Sequence, residues 1–98
     1  MKKVFISQPM RGKTQDEILN ERNRIIEEIQ NLIGGHEVLD TYFDDFGECS
    51  KPLQYLAKSL FMLADADCAY FALGWQDARG CRIEHDCAIA YGIEVLKD

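Results

Sequence analysis

The residue of greatest chemical interest is Glu84. It sits in the run Asp77-Ala78-Arg79-Gly80-Cys81-Arg82-Ile83-Glu84-His85-Asp86. A carboxylate held ionised can attack an anomeric carbon or balance the charge of an oxocarbenium-like transition state. Glu84 follows Cys81 by three positions and precedes Ala88 by four. On a helix beginning near Cys81 it would lie in the first turn, where the helix dipole favours the charged form. The small side chain of Ala88 would leave room above it. Acidic first-turn residues are also common for the dipole alone, so the spacing by itself leaves both readings open.

A second constellation is Ser7-Gln8-Pro9-Met10-Arg11-Gly12-Lys13. It follows an apolar run and precedes a helix, so backbone amides and the positive helix end should face it. Arg11 offers a planar, always charged fork suited to phosphate, and Gly12 would let the backbone approach an anion closely. The segment matches neither the GxGxxG nor the P-loop pattern, and a plain turn with solvated Arg and Lys is the alternative. Trp75 would either stack a planar base or cover the core. His85 and Asp86 are helix neighbours that point apart. His36 begins a strand, and the acidic set Asp44, Asp45, Glu48 and Cys49 lacks the glycine and alternation of a calcium loop.

These segments need elements to hold them. Val4-Phe5-Ile6-Ser7 reads as a buried strand. Thr14-Gln15-Asp16-Glu17 has the pattern of a capping box, and Ile18, Ile25, Ile29, Leu32 and Ile33 give the following helix one apolar face up to Gly34-Gly35. His36–Asp40 is a second strand, and Thr41–Cys49 reads as a loop. Ser50-Lys51-Pro52 starts a second helix with Leu53, Leu56, Ala57, Leu60, Phe61 and Ala64 on its apolar side. Cys68–Leu73 suits a central parallel strand. A third helix over Cys81–Tyr91, ended by Gly92, precedes a last strand at Ile93–Leu96. The order β-α-β-α-β-α-β predicts an α/β domain: a parallel sheet of about four strands with helices on both faces. Ligands then sit beyond the carboxyl ends of the strands, the edge that carries both Ser7–Lys13 and Gly74–Gly80.

The whole chain sets further bounds. Its 98 residues point to one domain, 1–98. Eleven bases against seventeen acids give a net charge of −6. The five acids of residues 34–50 meet no base, and no basic stripe marks a polymeric nucleic-acid partner. No apolar run approaches the roughly 18 residues of a membrane helix, and Met1-Lys2-Lys3 is a poor signal-peptide start, so no membrane partner and a cytoplasmic location are expected. The four cysteines, Cys49, Cys68, Cys81 and Cys87, have no CxxC spacing and read as reduced thiols. With ~100 residues the core is small, and self-association would add stability.

Val4–Gly12, Ala66–Phe71 and Gly80-Cys81-Arg82-Ile83-Glu84-x-x-x-Ala88 together resemble the nucleoside 2-deoxyribosyltransferase superfamily. The narrower resemblance, over nearly the whole chain, is to a short bacterial and phage branch marked by Gly-Trp…Ala-Arg-Gly-Cys-Arg-Ile-Glu-His and by Ala-Tyr-Gly. The resemblance implies a flavodoxin-like three-layer sandwich and cleavage of a nucleoside N-glycosidic bond. By position, Glu84 matches the glutamate that attacks the sugar C1′. Met10-Arg11-Gly12 is similar to the Ile-Arg-Gly loop that holds the 5′-phosphate in deoxynucleoside 5′-monophosphate N-hydrolases. Gly80 matches the glycine four residues before the glutamate. Ser59 stands where many members have a sugar-gripping aspartate, and Ala78, with Asp77 one position off, where transferases have another.

The expected activity is therefore N-glycosidase action on a nucleoside or nucleoside 5′-monophosphate, by hydrolysis or base transfer. Glu84 is the expected nucleophile, and Arg11 and Gly12 hold the phosphate with the Ser7, Pro9 and Met10 loop around them. Ser59, Asp77 and Gly80 contact the sugar, and Trp75 or Phe5 the base. No metal or organic cofactor is called for, and a homo-oligomer is implied. The alternative is a nucleotide-binding module or sensor without turnover, or a small oligomerising accessory protein with no ligand.

Overall fold

Alternating apolar residues in the first strand divide the interior in two. In the computed structural model, which describes residues 1–39 and 51–96, β1 spans Lys2–Ser7. Val4 and Ile6 point to one face and Phe5 to the other, all nearly inaccessible to solvent. β1 lies between β2 (His36–Val38) and β3 (Cys68–Phe71), and β4 (Glu94–Leu96) flanks β3. All pairings are parallel, in the order β2-β1-β3-β4. The chain steps outward from β1 to β2 and then returns to the other side of β1. The C-terminal ends of β1 and β3 therefore form a topological switch point, where a crevice opens.

One face of the sheet is covered by α1 (Gln15–Ile33), the other by α2 (Pro52–Leu63) and α3 (Arg79–Ala90). This is the three-layer, flavodoxin-like sandwich. Thr14 and Glu17 form the expected capping box: the Thr14 hydroxyl accepts from the Glu17 N–H at 3.1 Å, and the Glu17 carboxylate accepts from the Thr14 N–H at 3.0 Å. α1 ends at Gly34, whose φ of +77° favours glycine. Its buried stripe is Ile18, Arg22, Ile25 and Ile29, not the wholly aliphatic face expected. Arg22 turns inward because it donates to the Leu39 carbonyl at 3.0 Å, tying α1 to the end of β2. Leu32 falls off this stripe and is half exposed.

The apolar side expected for α2 is also corrected. Leu63 is its fully buried residue, while Leu53 and Phe61 are 73% and 78% exposed. The helix contacts the sheet through Leu60, Met62 and Leu63, so Leu53, Ala57 and Phe61 form an outward stripe. The Asp40 end of the second strand, the acidic stretch to Cys49 and the Ser50 helix start lie outside the described residues. Among the described residues no helix is long and apolar enough to cross a membrane, and no group of His, Cys, Asp and Glu could hold a metal ion.

Candidate functional site at the switch point

The crevice beyond β1 and β3 is a cleft of about 720 Å³, within the range of small-molecule sites. Three walls enclose it: Ser7–Arg11 after β1, the outer part of α2 (Pro52, Tyr55, Leu56, Ser59), and Gly74 with Asp77–Cys81 and Glu84. Chain turns explain the last wall. Gly74, with φ +89°, starts a single 3-10 turn over Trp75–Asp77, and α3 begins directly after Ala78.

Glu84 forms the floor. Its residue is 7% exposed, and Ser7 Oγ donates to its Oε1 at 2.6 Å. Burial raises the carboxyl pKa above its ordinary value, while hydrogen bonds from Ser7 and Ser59 pull it down. α3 starts at Arg79, two residues earlier than expected, so Glu84 belongs to the second turn and not the first. The helix dipole fades within the first turn. The two serine hydroxyls, not the helix end, are therefore what favours the anion.

Ser59 of α2 lines the same cleft, and its hydroxyl joins that of Ser7 in holding the Glu84 carboxyl pKa down against burial. Cys81, one helical turn before Glu84, also lines the cleft. Burial pushes its thiol up to about 11, opposed by a hydrogen bond with Ser7. It stays neutral and adds no second negative charge beside Glu84. Cys68, Cys81 and Cys87 are all free thiols.

The loop after β1 is fastened from below. The buried Gln8 donates through Nε2 to the Ile18 carbonyl at 2.7 Å and to Glu21 Oε1 at 2.9 Å. Lys13 pairs with the same Glu21 oxygen at 3.3 Å. Lys13 is thus spent on α1, and Arg11 is the loop cation that lines the cleft. Gly12, at φ +81°, makes the turn but is not part of the lining.

Ser7, Pro9, Met10, Arg11, Ser59, Asp77, Gly80 and Glu84 all meet in this one cleft, and Phe5 contributes to it. Trp75 does not. Its ring stacks on His85 at 4.0 Å and 17°, while Phe71 meets His85 edge-on at 4.9 Å. This aromatic column packs α3 and the 3-10 turn against the sheet, which is the core-covering role rather than the base-stacking one. His36 is also accounted for locally, Nδ1 lying 2.9 Å from the Gly34 carbonyl.

Sequence reasoning did not single out Tyr55, Leu56, Arg79 or Gln8. Tyr55, Leu56 and Ser59 recur at helical spacing, a signal that would have brought the first two in beside Ser59.

A family model described as a domain of unknown function, DUF4406, matches residues 2–97. The chain belongs to the DUF4406 family. No curated protein matches this DUF4406 chain. Among solved structures it is similar to a conserved protein from Enterococcus faecalis V583, with a TM-score of 0.72 and 19% identity. The match covers 97% of the DUF4406 chain and 61% of the other, so the chain spans less than two thirds of that protein's length. At this identity the likeness supports the shared fold.

Proposed function

We propose that this DUF4406 protein is an N-glycosidase that cleaves the bond between base and sugar in a nucleoside or nucleoside 5′-monophosphate. The observation that carries the reading is the buried Glu84 carboxylate, hydrogen-bonded by Ser7 on the floor of a cleft that Arg11 also lines. A packed interior would leave no space for a sugar above that carboxylate, and bulk solvent would leave it poorly positioned.

In the first step a Glu84 oxygen attacks C1′ while the C1′–N bond breaks, and the base departs with the bonding electrons, taking up a proton from solvent water. A glycosyl ester remains. In the second step water attacks C1′, the ester bond breaks and the water's extra proton returns to solvent, leaving Glu84 as a carboxylate; a second base attacking through its nitrogen and losing its N–H proton instead gives transfer. Ser7 and Ser59 hold the carboxylate in orientation. Arg11 meets the 5′-phosphate, Asp77 and Gly80 line the sugar side, and Tyr55 with Leu56 supplies an apolar wall for the base. Homo-oligomerisation, implied by the family resemblance, is part of the proposal; a monomeric mass by light scattering removes it.

The test is incubation of purified protein with a panel of ribo- and deoxyribonucleosides and their 5′-monophosphates, followed by chromatography of free base. Base release or exchange is expected, with Glu84→Gln lowering it at least ~10³-fold. Intact substrates across the panel overturn the glycosidase. A second reading, a nucleotide sensor without turnover, is favoured by Ser59 and Ala78 at positions where superfamily members carry aspartates. Calorimetric binding without released base is its signature.

A further inference from the structure

Arg79 has no role in the site as read from the sequence, yet it faces the same cleft as Arg11. We propose that Arg79 is a specificity-determining residue: with Arg11 it forms a two-guanidinium clamp that selects a phosphate monoester dianion, a nucleoside 5′-phosphate, over the neutral nucleoside. The inference rests on the glycosidase reading and narrows its substrate class.

Placement supports it first. Arg11 follows β1 and Arg79 follows β3, the two strands paired at the switch point. Their loops approach closely: a side-chain carbon on Gly74 would stand 3.9 Å from Pro9 Cγ. Charge supports it second. Among the described residues neither guanidinium forms a hydrogen bond or ion pair. The neighbouring cation Lys13 is instead engaged by Glu21, and Arg22 by the Leu39 carbonyl. In a chain of net charge −6, two arginines without a partner among the described residues line a single cleft from separate walls.

Chemistry then sets the ligand. The cleft also carries Asp77 and Glu84, which repel an anion. One guanidinium does little more than offset one carboxylate. A second gives a dianion two charge-assisted contacts at the lip, with Glu84 left free below. Two arginines suit this better than lysines, because each planar fork can present two parallel N–H donors to phosphate oxygens. A neutral nucleoside offers them only uncharged acceptors, without the charge-assisted bidentate contacts of a phosphate.

The experiment is calorimetric titration of the full chain and its Arg79→Ala and Arg79→Lys variants. The probes are the ribo- and deoxyribonucleoside 5′-monophosphates and the matching nucleosides, with base release followed in parallel. The wild type should prefer nucleotide over nucleoside, and Arg79→Ala should cut that preference at least about tenfold. Arg79→Lys should restore only part of it, and added salt should weaken nucleotide binding more in the wild type than in Arg79→Ala. A wild type that takes nucleosides and nucleotides equally, or an Arg79→Ala variant that keeps the full preference, overturns the clamp while base release keeps the glycosidase. If the wild type neither binds nor cleaves any probe, the glycosidase falls and the clamp falls with it.

Discussion

At the scale of single residues, the decisive balance is between burial and hydrogen bonding at Glu84. Burial raises its pKa, and Ser7 and Ser59 oppose the rise. Removing the Ser7 hydroxyl therefore raises the pKa further. For a nucleophile that must be ionised, the rising limb of a pH–rate profile in Ser7→Ala should move to higher pH. An unmoved limb would show that the 2.6 Å bond does not tune the carboxylate. Stability carries the same sign. A carboxyl whose folded pKa lies above its unfolded value binds a proton more readily in the native state. Its contribution is fully present below the unfolded value and is lost as pH rises through the folded one. Glu84→Gln should accordingly match or exceed wild-type stability at pH 7, and lose that advantage below the ordinary carboxyl value of 4.5. Denaturant melts of both proteins at neutral and acid pH check this.

At the scale of elements, local signals with a mechanism were legible and side-chain direction was less so. Thr14 and Glu17 announce their helix start because each satisfies a backbone N–H of the other's turn. Thr14→Ala should cost about 1 kcal/mol and lower Tm by roughly 4–8 °C in a domain of this size, measured by thermal denaturation. An unchanged Tm would mean the cap is redundant with packing. The beginning of α3 was less legible. Gly80 looks like a helix breaker, yet it lies inside the first turn, and the aromatic column of Trp75, His85 and Phe71 anchors that end of the helix. Apolar spacing on α2 likewise says that a face exists but not how wide it is. Leu63 takes the inward position, and the outward Leu53–Phe61 stripe cannot be told from it by periodicity alone.

At the scale of the molecule, strand–helix alternation leaves few topologies open, and a central β1 brings Ser7–Arg11 beside Gly74–Glu84. Legibility of the site ends at α2: helical spacing groups Tyr55 and Leu56 with Ser59, but that this side of α2 meets the cleft is set by tertiary packing, which the spacing does not encode. A site assembled from β1, α2 and α3 couples its ligand to the whole fold, because unfolding of any of these segments destroys it. A ligand at 100 times its Kd stabilises the native state by about 2.7 kcal/mol, which corresponds to a rise in Tm of roughly 10–20 °C. A thermal-shift series with nucleoside 5′-monophosphates should show that rise in the wild type. Glu84→Gln should retain most of it, since the phosphate and base contacts stay in place while turnover stops. Loss of both shift and turnover in Glu84→Gln would mean that the carboxylate supports binding itself. A wild-type melt unmoved by every nucleotide would remove the ligand site and leave the accessory-protein reading.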